Sequence, residues 1–258
     1  MDNISLKQLS QIVYYYCGLN YVNNLSSLEV KISKRLQDLN LSIWEYIRLL
    51  EESKSEWDQL VELLTINETY FYREEKQLTV LRDYILPQHH QPLKIWSAAC
   101  STGEEPYSLA IVLSQSDVKG QVTGTDINKR VLEAASNGVY NKRSLSFRRI
   151  PPQWLSTYFD ESENEYSVKE SIKELVEFKY LNLLDEKSMQ NQQNYDVIFC
   201  RNVLIYFDAE TVEKVVRYFY HSLKKGGYLF LGHAENISNL NIGFETLNTQ
   251  GTFYYRKG

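Results

Sequence analysis

Residues 95–108, Ile95-Trp96-Ser97-Ala98-Ala99-Cys100-Ser101-Thr102-Gly103-Glu104-Glu105-Pro106-Tyr107-Ser108, decide the fold. An apolar run, Leu93–Ala98, reads as a short buried strand. A loop of small residues follows, and then a helix over Pro106–Leu113 with proline in its first turn. In a doubly wound sheet such a strand–loop–helix unit brings its loop to the carboxyl edge, where nucleotides bind. Small side chains there let a ligand approach the backbone closely. Gly103 is the only glycine of the loop, so the segment is not the GxGxxG cradle of a dinucleotide pyrophosphate. Glu104 and Glu105 would repel a diphosphate and suit a ligand carrying positive charge. A tight turn bearing two solvated glutamates is the plain alternative.

Downstream the same rhythm continues. Gln121–Thr125, Phe178–Leu181, Tyr195–Cys200, Tyr228–Gly232 and Gly251–Arg256 read as strands, and Lys129–Ala135 as a helix. Asp208–Lys224 reads as a longer helix, capped by Asp208, ended by Gly226-Gly227, with Val212, Val215, Val216, Phe219 and Leu223 inward. Strands alternating with helices predict a mostly parallel sheet covered on both faces. Between residues 140 and 180 the rhythm breaks at Pro151-Pro152 and the polar Asp160–Glu165. A hairpin around Tyr166 and Val168 predicts an insertion there.

Upstream, the first 75 or so residues are helical by period. Leu28, Ile32, Leu36 and Leu39 draw one stripe, with Ser26 or Ser27 as its N-cap. Ile43, Tyr46, Ile47 and Leu50 draw a second after Ser42, and Trp57, Leu60, Val61 and Leu64 a third. The expected organisation is a small helical domain over residues 1–75 and a larger α/β domain over 76–258, with the insertion at 140–180.

Composition narrows the class. The 258 residues hold 28 Lys+Arg against 33 Asp+Glu, a net charge of −5 that disfavours a surface given over to nucleic acid. The whole excess lies in residues 1–75, with 7 basic and 12 acidic residues, while residues 76–258 balance. No apolar run reaches the ~20 residues of a membrane span, and Met1–Lys7 lacks a leader's form. Cys17, Cys100 and Cys200 are scattered and odd in number, which predicts reduced thiols and a cytoplasmic location. His89 and His90 belong to no ligand spacing, so no metal is expected.

Two further segments carry chemistry. Asp126 ends the second strand, 23 residues after Gly103, where a carboxylate accepts from both ribose hydroxyls of an adenosine; capping the next helix is its plain alternative. Arg201 and Asn202 follow the buried strand Tyr195–Cys200 at the carboxyl edge, in reach of ligand and acceptor. An internal Arg–Asp pair that fixes the loop is the competing reading of Arg201.

Asn67-x-Thr69-x-Phe71-x-Arg73, WSAACSTGEEPYS, Thr125-Asp126-Ile127, Asn182-Leu183-Leu184, FCRNVLIYF and LKKGGYLFLGHAE occur in that order. Together they resemble the CheR family of chemotaxis receptor methyltransferases over nearly the whole chain. The resemblance implies a class I methyltransferase fold: Rossmann-like α/β, a mostly parallel seven-stranded sheet, a small N-terminal all-helical domain and a small antiparallel β-subdomain insertion. It implies a cytoplasmic, monomeric enzyme that uses S-adenosylmethionine, without metal, to form methyl esters on glutamates of chemoreceptors, leaving S-adenosylhomocysteine. Cofactor contacts carried over by position fall on Asn67, Thr69, Arg73, Glu105, Asp126, Asn182, Leu183, Arg201 and Asn202. The residues alone point to Asp126, Arg201, Asn202 and the glutamate pair, but not to Asn67, Thr69 or Asn182. A helix N-cap before Tyr70–Leu86 is the alternative for Thr69. Arg201 is expected to orient the acceptor carboxylate, and Tyr206 to line the transfer cleft.

The resemblance also implies that a basic helix meets an acidic receptor helix. Lys31, Lys34 and Arg35, spaced i, i+3, i+4, supply it here. Some relatives dock a receptor's C-terminal pentapeptide on a glycine-containing loop of the β-subdomain. Residues 159–166 are short and lack glycine, so tether-independent action is expected. The competing functions are a non-catalytic adenosyl- or nucleotide-binding regulatory module, and a nucleic-acid methyltransferase. The latter lacks the [DN]PP[YF] signature where Cys200-Arg201-Asn202-Val203 stands.

Overall fold

A computed structural model describes residues 3–258. Met1 and Asp2, part of the Met1–Lys7 stretch read above for a leader, lie outside the described residues. Four helices come first: α1 (Asn3–Cys17), α2 (Leu25–Leu39), α3 (Ile43–Glu52) and α4 (Lys54–Leu64). Their stripes face one another. Leu9, Val13, Leu28, Ile32, Tyr46, Ile47, Leu60 and Leu64 form a core of their own, to which Ile127 adds from the larger part. Ser42 caps α3 in a reciprocal capping box with Glu45, an arrangement that stabilises by about 1 kcal/mol. The α2 cap is Asn24, which accepts from Ser27 N, and not Ser26 or Ser27: the helix starts two or three residues earlier than the serines suggest.

Residues 70–74 turn, and α5 (Glu75–Val80) runs through one π-helical and one 3-10 turn to Gln88. No helix therefore starts at Thr69. Then follow β1 (Leu93–Ala98), α6 (Glu104–Ser114), β2 (Gly120–Asp126) and α7 (Lys129–Asn137). The insertion holds β3 (Val139–Asn141), α8 (Pro152–Tyr158), β4 (Phe159–Glu161), β5 (Glu165–Val168) and α9 (Glu170–Lys173). The chain closes with β6 (Val176–Tyr180), α10 (Glu186–Gln190), β7 (Tyr195–Cys200), α11 (Ala209–Ser222), β8 (Leu223–Leu231), β9 (Phe244–Thr249) and β10 (Thr252–Lys257).

The main sheet has seven strands in the order β6-β2-β1-β7-β8-β10-β9, parallel except at β10 and β9. The order reverses between β1 and β7, so their carboxyl ends open a crevice at the topological switch point. The insertion forms a separate antiparallel sheet, β3-β5-β4, with the expected hairpin between Phe159 and Val168.

One expectation is corrected and one strand is added. Gly226-Gly227 do not end a helix, because α11 stops at Ser222 and the pair lies inside β8. There Gly226 takes φ +77° at a register break opposite Tyr195–Val197, so the glycines serve a bulge. The edge strand β9 was not foreseen: Phe244–Thr249 alternates weakly, with a polar outer face suited to a sheet edge.

Candidate functional site

The crevice continues into a cleft of about 550 Å³, roofed by the ends of α1, α2 and α4 and floored by the loops after β1, β2, β6 and β7. Asn67, Thr69, Arg73, Glu105, Asp126, Asn182, Leu183, Arg201, Asn202, Tyr206 and Lys31 all line it. Lys34 and Arg35 do not.

The loop after β1 is bent by three left-handed residues in five, Ala99 (φ 58°), Ser101 (φ 51°) and Gly103 (φ 93°). The left-handed region is uncommon for residues other than glycine, and a Cβ on Gly103 would lie 2.8 Å from the Ala135 Cβ. The bend aims Ser101 N at Asp126 Oδ2 (2.8 Å), while Asn128 N donates to Oδ1 at the same distance. Asp126 is thus held by backbone, and the cap of α7 is Asn128. Burial pushes the Asp126 carboxyl up from its ordinary range, against the pull of these amides.

Glu105 lies in the first turn of α6 with its carboxylate shared between Ser97 Oγ (2.6 Å) and Arg201 Nε (2.5 Å). The Arg201 side chain is 1% exposed, and its Nη1 donates to the Arg73 carbonyl at 2.6 Å. The internal pair that competed with a ligand role for Arg201 therefore exists, with Glu105 as partner in place of an aspartate. Glu104 points the other way. Thr102 and Ser146 hydroxyls donate to it at 2.7 and 2.8 Å, and burial raises its pKa. Asn182 Nδ2 donates to the Tyr16 carbonyl (2.6 Å), and Asn182 Oδ1 accepts from Leu184 N. Asn67 bonds Thr65 Oγ1 and lends its carbonyl to Ser101 Oγ. Arg73 reaches the Glu68 carbonyl and lies over the Tyr70 ring.

Two buried polar atoms at the cleft lack partners, Arg201 Nη2 and Asn202 Oδ1. An unpartnered donor and an unpartnered acceptor on successive residues match an amino-acid end, whose carboxylate accepts and whose ammonium donates. Asp126 at the second strand's end matches an adenosine ribose. The lining thus fits S-adenosylmethionine. Among the described residues no group of His, Cys, Asp or Glu is placed to hold a metal ion, and no helix is long and apolar enough to cross a membrane.

The basic triplet of α2 is divided. Lys31 Nζ donates to the Leu63 and Leu64 carbonyls (3.3 and 3.0 Å) at the end of α4, and burial lowers its pKa. Arg35 grips Glu56 with two nitrogens (2.9 and 2.6 Å), and Tyr46 completes that carboxylate. Only Lys34 stands exposed, so the expected three-charge ridge is reduced.

Sequence reasoning missed two residues here. Ser101 orients Asp126 through its amide, which no side-chain pattern reports. Glu235 accepts four backbone N–H groups around the loop after β7. An acid three residues after a strand-ending glycine was its available signal.

A family profile described as CheR methyltransferase, SAM binding domain, matches residues 67–253. The chain is similar to the chemotaxis protein methyltransferase of Salmonella typhimurium, at 35% identity over 93% of this chain and 86% of that one. It is similar to the Escherichia coli protein of the same name at 34% identity, over 100% of this chain and 92% of the other. The Borreliella burgdorferi protein of that name is 35% identical over 93% and 90%. The seven-stranded class I methyltransferase sheet, the cleft at its switch point and these matches agree, and the chain belongs to the CheR methyltransferase family.

Proposed function

We propose that this chain methylates glutamate side chains of methyl-accepting chemoreceptors, forming methyl esters. The observation that carries the reading is the pair of open polar atoms, Arg201 Nη2 and Asn202 Oδ1, beside Asp126 in one cleft of a CheR-family fold. Asp126 would hold the ribose, and Arg201, Asn202 and Arg73 the amino-acid end. Glu105 acts from below by fixing Arg201. Asn67, Thr69, Asn182 and Leu183 frame the rest of the cofactor.

S-adenosylmethionine, when bound, supplies a sulfonium methyl that needs no further activation. An acceptor glutamate is ionised at neutral pH, so the protein provides no general base. Its work is alignment and drying. The buried Arg201–Glu105 pair keeps the floor rigid. Ile205 and Tyr206 form the wall on the open side, where an acceptor enters. Arg201 has one nitrogen without a partner, Nη2, enough for a single carboxylate, and in this proposal it goes to the cofactor's carboxylate in place of the acceptor's.

The helical part, residues 1–75, is proposed as the receptor-recognition domain, with Lys34 as its exposed cation and Lys31 at the cleft mouth. The turn of the β4–β5 hairpin is Ser162-Glu163-Asn164, acidic and without glycine. We therefore read the enzyme as tether-independent, monomeric and cytoplasmic, with no metal. The test uses receptor-bearing membranes and S-adenosylmethionine labelled in the methyl group. Base-labile label released as methanol is the expected result, at equal rates with and without the receptor's terminal pentapeptide. Label that resists base, or none, removes the glutamate reading; a rate that collapses without the pentapeptide removes tether independence.

A further inference from the structure

Four backbone amides converge on one carboxylate that does not itself line the cleft. Glu235 Oε2 accepts from Gly232 N (2.6 Å) and Asn202 N (2.9 Å), and Oε1 from Val203 N (2.8 Å) and Ile205 N (3.4 Å). Three of those amides belong to the loop after β7. That loop needs an anchor. Asn202 is left-handed at φ +60°, and Val203 (φ −120°, ψ −46°) precedes a single 3-10 turn, Leu204–Tyr206. Asparagine tolerates the left-handed region, but Val203 is β-branched and sits outside the favoured regions, so the segment holds its shape only where its surroundings over-determine it. The packing leaves no slack: a Cβ on Gly232 would come within 2.7 Å of Asn202 N and 2.8 Å of Glu235 Oε2.

The loop so fixed carries Asn202, Val203, Ile205 and Tyr206, four residues that line the cleft. We propose that Glu235 is a positioning residue for methyl transfer: it does not touch the cofactor or the acceptor, but clamps 202–206 so that Tyr206 and Ile205 set the acceptor's approach. The clamp is tied in turn to the cofactor side, because His233 N donates to Glu74 Oε1 and the neighbouring Arg73 carbonyl receives Arg201. This inference rests on the methyl-transfer reading.

The carboxylate is the right group. It has two acceptor oxygens and no hydrogen, so each oxygen serves two amides. Glutamine keeps the shape but turns an NH2 group toward two N–H donors. Glu235→Gln should therefore release residues 202–206 while leaving Asp126, Glu105 and Arg201 in place.

The experiment measures receptor methylation kinetics, S-adenosylhomocysteine affinity by calorimetry and amide hydrogen exchange for the wild type, Glu235→Gln and Glu235→Asp. The expected result for Glu235→Gln is a fall in kcat of about 10- to 100-fold, the scale of an ångström-size misplacement. The Kd for S-adenosylhomocysteine should rise by less than kcat falls, because Asp126, Glu105 and Arg201 stay in place and Asn202 is the one proposed cofactor contact on the released loop. Exchange should rise in the peptide covering 202–206 and not elsewhere. Glu235→Asp, shorter but chemically equivalent, should fall between the two. Unchanged kcat with unchanged exchange overturns the proposal. So does a parallel loss of kcat, cofactor affinity and protection throughout the chain, which marks a merely structural role. If the wild type transfers no methyl to receptors, the functional reading fails first; the exchange of 202–206 then decides whether Glu235 clamps this wall.

Discussion

Glu105 and Arg201 stand 96 residues apart in the chain and 2.5 Å apart in the fold, joining the first turn of α6 to the end of β7. The pair spans the switch point, so the two strand ends that bound the cofactor floor are held by one ionic contact. Its surroundings decide its worth. A buried pair is poor evidence of net stability, but removing one member strands the other charge at about 3–5 kcal/mol. Glu105→Ala is expected to lose that much in urea unfolding and to abolish S-adenosylhomocysteine binding. The double variant Glu105→Leu/Arg201→Met should recover most of the stability and none of the binding. A single variant that unfolds within about 1 kcal/mol of wild type would show the pair to be screened as at a surface.

Asp126 offers a separate test of the ribose side. Its two oxygens already take amide protons from Ser101 and Asn128, and the Ile127 amide also pulls on the carboxylate. Asp126→Asn keeps the volume but sets an NH2 group against one of those donors. Hydrogen bonds to a charged group contribute about 1.5–3 kcal/mol, so affinity for S-adenosylhomocysteine should fall about 10- to 100-fold in calorimetry. The fold should survive, since Asn128 caps α7 independently. Unaltered affinity would move the ribose away from Asp126.

Most of the sheet is legible because its strands are short apolar runs bounded by turn residues, while the weakly alternating edge strand β9 is not. The cofactor loop was legible from residue size: Ala99, Ser101 and Gly103 are the three that go left-handed. Asp126 was legible from its place at a strand end. The clamp at Glu235 and the amide of Ser101 were not, because their partners are backbone groups brought together only by the fold. The charges of α2 misled for a related reason. Spacing on one helix shows that Lys31, Lys34 and Arg35 are neighbours, but not that Glu56, on α4, captures one of them.

Glu104 predicts a pH dependence. It is buried beside Tyr140 and Ser146, and burial raises its pKa above the ordinary 4.5 despite two hydroxyl donors. A carboxyl with a raised folded pKa binds its proton more tightly when folded. It therefore weakens the fold at pH values where it is ionised, and the penalty disappears as pH falls below the ordinary value. The stability of wild type minus that of Glu104→Gln should decline as pH rises past 4.5 and level off above the raised pKa. Denaturant titrations of both proteins between pH 4 and pH 8 or so read this difference directly. A difference that grows with pH would mean that the hydroxyl donors outweigh burial.

Recognition of an acidic acceptor comes down to which cation of α2 is free. Arg35 is committed to Glu56, whose carboxylate its two nitrogens and the Tyr46 hydroxyl hold well ionised, and the pair ties α2 to α4. Arg35→Glu would set two acids against each other beside a buried tyrosine, so its first effect should be loss of thermal stability, with activity following. Lys31→Glu would likewise place an acid on the carbonyl end of α4, where the helix dipole is already negative. Lys34 has neither entanglement. Lys34→Glu should leave the melting temperature and S-adenosylhomocysteine affinity unchanged and raise the acceptor KM several-fold at low salt. Reversing a surface charge alters binding by about 1 kcal/mol or less and is screened over the ~8 Å Debye length of physiological salt, so the effect should fade as salt is added. A KM that ignores both the substitution and the salt would place the acceptor's docking face elsewhere than on α2.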